Sequence, residues 1–269
     1  MFTFRFITDK YFKLNKVIAF EATGAVIDPQ MSVSNIVKSD YRTAPVFRKY
    51  NINYCCAGLL PLADICSSMG LSEGQILQDL KEATRNARFQ SGMKLQDWKL
   101  NFLIDYIINV HHAYLHQALP EIQHALLSFL EQHKKKYPEL TDIYLTFNQL
   151  SELLIEHNRK EEEVTFPYIR HLDSAFSLEE SYAHLLVKTL RRPLSGLYDA
   201  HQQIATLLNK IQSLTNNYRV PKNACTNHCV IYGMLHELHD DLVQHEHMED
   251  DVLLPRAAEL ERVLLSKGG

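Results

Sequence analysis

The sequence has little glycine and little proline, with nine of each in 269 residues. Both residues interrupt helices, so their scarcity permits long uninterrupted helical segments. The longer apolar patterns follow the 3.6-residue period of helices, and alternating strand patterns are hard to find. The sequence therefore predicts an all-α fold.

Cysteine is also sparse and odd in number, with five in the chain. This argues against a disulfide scaffold and favours a reducing compartment. No apolar run approaches the roughly 18–20 residues that cross a bilayer. The longest run near the start, Val17 to Phe20, stops at Glu21 and is too short for a signal-peptide core. We therefore expect a cytoplasmic protein without a membrane partner.

An excess of positive charge is missing as well. The net charge is −4 and the pI is about 6.4, which gives no basic surface of the kind that binds nucleic acid. With 46% hydrophobic residues, however, the chain can bury a sizeable core. We expect a tail over residues 1–31 that need not be ordered, a small helical domain over 32–88, and a larger helical domain over 95–265.

The larger domain contains four long helical patterns, enough for an antiparallel four-helix bundle. They cover residues 96–133, 139–170, 193–216 and 224–264. Their predicted connections contain Pro138, HLDSAFS (171–177) and TNNYRVPKN (215–223). Pro120 is expected to kink the first helix or to begin a new turn.

Two segments of this domain repeat one skeleton 88 residues apart, HNRKEEEVTFP (157–167) and HEHMEDDVLLP (245–255). Each has a His, a Glu four residues later and a Pro six residues after the Glu. A lone His-x-x-x-Glu is usually an exposed helix pair, but both copies continue apolar stripes and so face inward. The stripes are Leu150, Leu153, Leu154, His157, Glu161 and Val164, and Ile231, Leu235, Leu238, Leu242, His245, Glu249 and Val252.

The first and third helices each supply one further inward histidine. His201 lies between Leu197 and Ile204 on the third stripe. On the first stripe His112 fits, although His111 and His116 are near enough to compete. His112 precedes His157 by 45 residues and His201 precedes His245 by 44, so an internal pseudo-twofold favours His112.

Four imidazoles and two carboxylates would then share one level of the core. A buried unpaired carboxylate costs several kcal/mol, and metal ions remove that cost. Two bridging Glu and four His suit two ions with open coordination positions. This donor set fits non-haem iron better than structural zinc, with manganese as the less favoured alternative.

The cysteines divide into two kinds. Cys55 and Cys56 are adjacent on a loop, where a redox or metal-transfer role competes with simple packing. Cys66, Cys225 and Cys229 are expected to be ordinary packing residues.

These segments together carry a family resemblance. The four ligand segments resemble the hemerythrin-like di-iron bundle, and more closely the repair of iron centres family, over about residues 33–260. APVFRKYNINYCCAG (44–58) resembles that family's small N-terminal domain. The sequence departs from these families at two points. It has no inward fifth His of the kind found in oxygen-carrying hemerythrins, and it has Ala57 where the repair family is expected to have a Gly. The ligand segments are HHAYLHQALPE (111–121), HNRKEEEVTFPYI (157–169), DAHQQIATLL (199–208) and HEHMEDDVLLPRA (245–257).

The resemblance implies a homodimer that carries two mu-oxo-bridged Fe ions per chain. Their ligands would be His112, His157, Glu161, His201, His245 and Glu249.

The function implied is repair of iron-sulfur clusters after nitrosative or oxidative damage, by supplying iron from a labile di-iron site. Cys55 and Cys56 would take a redox or iron-transfer role, the clients would be damaged iron-sulfur proteins, and the reductant is unknown. Such a chain donates iron rather than turning over a substrate. The alternatives are a nitric oxide or peroxide reductase, and a hemerythrin-like gas sensor or store.

Overall fold

The structure is a computed structural model that describes residues 27–55, 58–84, 95–177 and 197–266. Most of the predicted 1–31 tail and the linker at 89–94 lie outside these ranges. Within them the regular elements are helices, and one isolated bridge joins Ser32 and Pro61. The predicted all-α class is confirmed. The chain divides into two compact units, one up to residue 87 and one from residue 88.

The described residues of the first unit form four short α-helices: α1 (Val33–Ser39), α2 (Ala44–Lys49), α3 (Leu62–Met69) and α4 (Glu73–Ala83). The hydroxyl oxygens of Ser32 and Ser72 cap α1 and α4 by accepting from backbone N–H groups of the first turn. Helix α3 ends at Gly70, whose φ of 65° is the left-handed conformation that glycine adopts without strain. The helices enclose a small apolar core that includes Val33, Ile36, Phe47, Ile76 and Leu80.

The second unit is built from four long helical arms. The first combines α5 (Leu100–Tyr106) and α6 (Ala113–His133), and the second combines α7 (Leu140–Lys160) and α8 (Phe166–Ser177). The third is α9 (Leu197–Leu214), and the fourth combines α10 (Thr226–Met248) and α11 (Leu254–Ser266). No helix in the described ranges has the length and apolarity that crossing a membrane requires.

Helix α6 continues through Pro120, for which a kink or a new turn is predicted. One predicted connection is wrong, because the segment HLDSAFS is helical as far as Ser177. The reason is packing, because Leu172 and Ala175 are buried in one cluster with Leu264 of α11. Burial of this apolar surface favours helix where the polar residues suggest a loop.

The core of the second unit consists mainly of two apolar clusters. The larger contains Leu115 and Leu119 of α6, Leu150 and Leu154 of α7, and Leu242 of α10 among its members. The second joins residues of α5 to residues after the inward glutamates, such as Phe166 and Val252. Along the helical arms, the predicted ligand residues fall between these clusters, so apolar side chains flank the polar layer on both sides.

In the part of the chain that the structure describes, three π-helical turns interrupt the long arms at that layer. They span Ile107–His112, Glu161–Thr165 and Glu249–Leu253. A π turn contains one residue more than an α turn, so it shifts the following residues around the helix axis. One predicted stripe position is wrong: Val164 is 52% exposed and Thr165 is buried in its place, whereas Val252 at the matching position of the third π turn is buried.

A buried histidine at the far end of the unit makes stability depend on pH. His228 is fully buried, and both ring nitrogens lack a hydrogen-bond partner. Burial, followed by the charges of His133 and Lys136, lowers the pKa of His228 to about 4 from the ordinary 6.5. Because the unfolded chain binds the proton more readily, this stability is present above pH 6.5 and lost as the pH falls towards 4.

We therefore expect the free energy of unfolding to fall by about 2 kcal/mol more between pH 7 and pH 5 in the parent chain than in His228→Phe. Phenylalanine keeps a planar ring among the surrounding aromatic side chains but does not titrate. Urea unfolding at both pH values, in metal-free buffer, measures the difference. Equal pH dependence in the two proteins would contradict the burial argument.

Candidate metal centre

The structure brings all six predicted ligand residues to one place in the second unit. His112 ends the first π turn, and His157 and Glu161 lie where α7 meets the second. His201 belongs to α9, and His245 and Glu249 lie where α10 meets the third π turn. All six side chains are buried, with no more than 4% of any residue exposed.

The donor atoms form two overlapping groups of four, each with its atoms within 4.8 Å of one another. The first contains His112 and His245, and the second contains His157 and His201. Both groups include Glu161 and Glu249. Each group therefore pairs imidazoles from different helices, and the two carboxylates are shared.

The two oxygens of each carboxylate face different groups. Oε2 of Glu161 lies 3.4 Å from Nε2 of His112, and Oε1 lies 3.3 Å from Nε2 of His157. Oε1 of Glu249 lies 3.0 Å from Nε2 of His245, and Oε2 lies 3.3 Å from Nε2 of His201. Two ligand atoms about 2.1 Å from one ion and at right angles lie about 3 Å apart, so these spacings suit two bridged cations.

Unpaired buried atoms test whether the residues fit a cation. Nε2 of His112, Oε2 of Glu161 and Oε2 of Glu249 are all buried without a hydrogen-bond partner. Leaving buried polar atoms unpaired is costly, and three at one point are difficult to explain by packing. A cation at each group would give every one of these atoms a partner, so the residues fit the group.

Two carboxylates outside the six-residue set, those of Glu162 and Asp250, orient ligand histidines. We call them the outer carboxylates, and the sequence analysis predicts neither. Nδ1 of His112 lies 2.7 Å from Oε1 of Glu162, and Nδ1 of His201 lies 2.7 Å from Oδ1 of Asp250. Each carboxylate accepts the Nδ1 proton, which leaves Nε2 with a lone pair for a cation. The available signal was symmetry, since Glu162 and Asp250 each directly follow a shared glutamate.

The electrostatics of the site show how protons compensate the buried carboxylates. Burial lowers the pKa of His201, but the neighbouring carboxylates of Asp250 and Glu249 outweigh burial and raise it to about 11. Burial likewise opposes the charged form of His245, yet Glu249 raises that pKa to about 9. Burial would raise the pKa of Glu249, but His245 and His201 hold it well below the ordinary value. Binding of a cation to His201 or His245 would therefore release a proton from that imidazole.

A fifth histidine is buried beside the six residues, contrary to the sequence reading that no further His faces inward. His111 is 2% exposed, and its ring stacks on that of His245 at 5.4 Å with an interplanar angle of 3°. Its Nδ1 lies 2.9 Å from Oδ1 of Asp241. The π turn explains the error, because it lets adjacent His111 and His112 both lie inside. His111 belongs to neither four-donor group.

The remaining sequence candidates lie elsewhere. The competing His116 is exposed on α6. Cys55 is partly exposed in the first unit, and its backbone N–H donates to Oδ1 of Asn53. Cys56 and Ala57 lie outside the described residues. Gly58 follows them where a Cβ would approach the Tyr54 carbonyl oxygen to 2.7 Å, so the tight turn needs a glycine there.

The outer carboxylates give a testable consequence. Glu162→Gln should weaken cation binding about 10–100-fold at the position that uses His112, because a neutral amide replaces the charged carboxylate that accepts the Nδ1 proton and makes Nε2 more basic. Glu163→Gln is the matched control, since the neighbouring Glu163 is exposed and pairs with Arg159. Competition titration with a metal-binding dye measures both affinities. Equal weakening in the two variants would exclude an orienting role for Glu162.

Buried His and Glu side chains in a helical bundle, with two carboxylates shared between two donor groups, define a hemerythrin-like cation-binding protein. Comparison with known families agrees: residues 103–257 match the hemerythrin HHE cation binding domain, and residues 29–84 match the ScdA_N domain of unknown function.

Similarity to individual proteins identifies the family more narrowly. It is 31% identical to the iron-sulfur cluster repair protein YtfE of Shigella boydii over 221 residues, which are 80% of this chain and 91% of the relative. The same values apply to the YtfE proteins of Escherichia coli O157:H7 and Escherichia fergusonii. The chain belongs to the YtfE family of iron-sulfur cluster repair proteins, and the predicted resemblance is confirmed.

Proposed function

We propose that this chain repairs iron-sulfur clusters damaged by nitrosative or oxidative stress, by supplying iron from a two-iron site in its helical bundle. The observation that carries the proposal is the pair of four-donor groups that share Glu161 and Glu249. Membership of the YtfE family supports the repair role, because the named relatives are iron-sulfur cluster repair proteins.

Iron is the metal that the donor set suits best. Each group offers two imidazole nitrogens and two carboxylate oxygens, which leaves coordination positions open. Structural zinc prefers four closed ligands, and manganese prefers oxygen donors more strongly. We therefore assign two iron ions per chain, held by His112, His157, Glu161, His201, His245 and Glu249. The oxo bridge implied by the resemblance belongs to the same assignment.

The residues around the centre support release as well as binding. The side chains of Glu162 and Asp250 are 37% and 32% exposed, so each connects a ligand imidazole with the surface. When a cation leaves, protonated His201 and His245 can pair with Glu249, as the raised pKa of His201, about 11, and of His245, about 9, indicates. The charge of the buried Glu249 is thus compensated with or without a cation.

The clients in this proposal are damaged iron-sulfur proteins, and a reductant of unknown identity controls how tightly the iron is held. Homodimer formation and a cytoplasmic location, which the resemblance and the composition favour, are further parts of the proposal. Cys55 is assigned with Cys56 to redox control or iron transfer, supported by the partial exposure of the Cys55 side chain.

Transfer of iron from the purified, iron-loaded chain to a cluster-depleted dehydratase tests the function. We expect dehydratase activity to return in proportion to iron lost from the chain, with nitric oxide consumption measured in parallel. Recovery with the iron-loaded chain, but not with an equal amount of free ferrous iron held by citrate, would support donation. Multiple turnovers of nitric oxide or peroxide without iron loss would favour the reductase alternative, and reversible gas binding alone would favour a sensor.

The cysteine assignment gives a separate prediction. Cys55→Ser/Cys56→Ser should leave the iron content of the bundle at about two ions per chain, because both cysteines lie in the first unit and none of the six ligands does. Iron transfer to the dehydratase should fall. Elemental analysis and the transfer assay measure the two effects, and loss of iron from the double variant would contradict the division of roles.

A further inference from the structure

A second group of metal-binding side chains lies at the end of the bundle where α6 stops and α10 begins. His133 is the last residue of α6, and Cys225 directly precedes α10. His228 and Cys229 lie in the first turn of α10. The Sγ atom of Cys225 is 4.0 Å from Nε2 of His133. Two thiols and two imidazoles therefore lie in one region of the bundle end, and the Cys225–His133 pair is already in contact.

His228 supplies an independent indication of a ligand. It is fully buried, and neither Nδ1 nor Nε2 has a hydrogen-bond partner. Its ring lies 5.1 Å from that of Phe129, whose ring is 4.5 Å from that of His133, so both imidazoles contact one aromatic side chain. An imidazole with two unpaired buried nitrogens is costly, and a cation on one of them would reduce that cost.

We propose that Cys225, Cys229, His133 and His228 bind a soft divalent cation of the zinc type, at a site separate from the six-residue centre. Two thiolates and two neutral imidazoles are a common donor set for tetrahedral zinc. Each thiol releases its proton to solvent on binding, so the two thiolate charges balance the divalent ion.

The geometry specifies what must move for the ion to bind. Ligands about 2.3 Å and 2.1 Å from a tetrahedral ion place sulfur and nitrogen about 3.6 Å apart, slightly closer than Cys225 and His133 are now. In the described residues, only the two groups of the six-residue centre have all their ligand atoms within 4.8 Å of one another. The Cys229 thiol and the His228 ring must therefore rotate towards the Cys225–His133 pair. Partial exposure of both cysteines gives the ion a path from solvent.

The two centres are far enough apart to be measured separately. Cys229 and His245 are separated by 16 residues of one helical arm, which corresponds to about 24 Å. The donor types differ as well, because the six-residue centre contains no sulfur. A signal that depends on thiolate ligation therefore reports the second site even when the first is occupied.

Cobalt titration provides that signal. Adding Co²⁺ to the reduced full-length chain should produce a thiolate-to-cobalt charge-transfer band, which Zn²⁺ then removes by displacement. The band should persist in Cys55→Ser/Cys56→Ser and disappear in Cys225→Ser/Cys229→Ser. His228→Phe should weaken the cobalt affinity by at least about tenfold, since loss of an outer partner alone can cost that much.

A second measurement needs no substitution. Zn²⁺ should slow iodoacetamide alkylation of Cys225 and Cys229 together in the parent chain, as read by peptide mass spectrometry, with Cys55 as the internal comparison. Equal alkylation rates with and without Zn²⁺ would overturn the proposal, as would a cobalt band unchanged in Cys225→Ser/Cys229→Ser. Neither readout depends on iron, so failure here leaves the proposed repair function to be judged by its own assay.

Discussion

Glu249→Ala is expected to empty both cation positions of the bundle, whereas a histidine substitution should weaken mainly one. Glu249 belongs to both four-donor groups, with one oxygen nearest His245 and the other nearest His201. Removing a bridging carboxylate takes one ligand from each ion and half of the negative charge that the carboxylates supply. We expect the iron content to fall from about two ions per chain towards zero.

The matched comparison uses two controls. Glu249→Gln preserves the size of the side chain but removes its charge, so it should also lose most of the iron if bridging by an anionic carboxylate is what matters. His245→Ala removes a ligand that belongs to one group only and should retain about one ion. Elemental analysis and iron titration measure occupancy, and circular dichroism confirms helicity. Equal losses from Glu249→Gln and His245→Ala would contradict shared carboxylates.

Much of this centre could be predicted because its residues continue regular apolar stripes. His157, Glu161, His245 and Glu249 fall at helical spacing after buried leucines, and the structure buries all four. Buried polar residues on a core-facing stripe need compensation, and the repeated motif indicates a metal. The bundle followed from the same period, with long arms and few breakers.

The positions that could not be predicted depend on local departures from that period. The inserted residue of a π turn has no simple sequence pattern. The exposure of Val164 depends on packing as well, because Val252 at the matching position of another π turn is buried. Glu162 occupies an exposed helix position, so the apolar stripe gives no indication that it acts at the centre. Its carboxylate nevertheless reaches the Nδ1 edge of His112 on the neighbouring arm, a contact that depends on how the helices pack.

The sharpest test of the first arm compares His111→Ala with His112→Ala, since burial does not separate the two residues. Both are at most 2% exposed, and each has a carboxylate at Nδ1 and an unpaired Nε2. Their ring positions differ. Nε2 of His112 lies 3.4 Å from Glu161, whereas the His111 ring lies parallel to His245. Only His112 is placed to share a cation with the bridging glutamates.

We therefore expect His112→Ala to lose about one of the two ions and to change the ligand-to-iron absorption. His111→Ala should keep about two ions and shift the absorption only slightly, because it removes a ring stacked on His245 rather than a ligand. His116→Ala, at an exposed position one turn further along, is the control and should leave both properties unchanged. Loss of iron in His111→Ala, with retention in His112→Ala, would move the ligand by one residue. The spacings of 45 and 44 residues would then no longer support the pseudo-twofold.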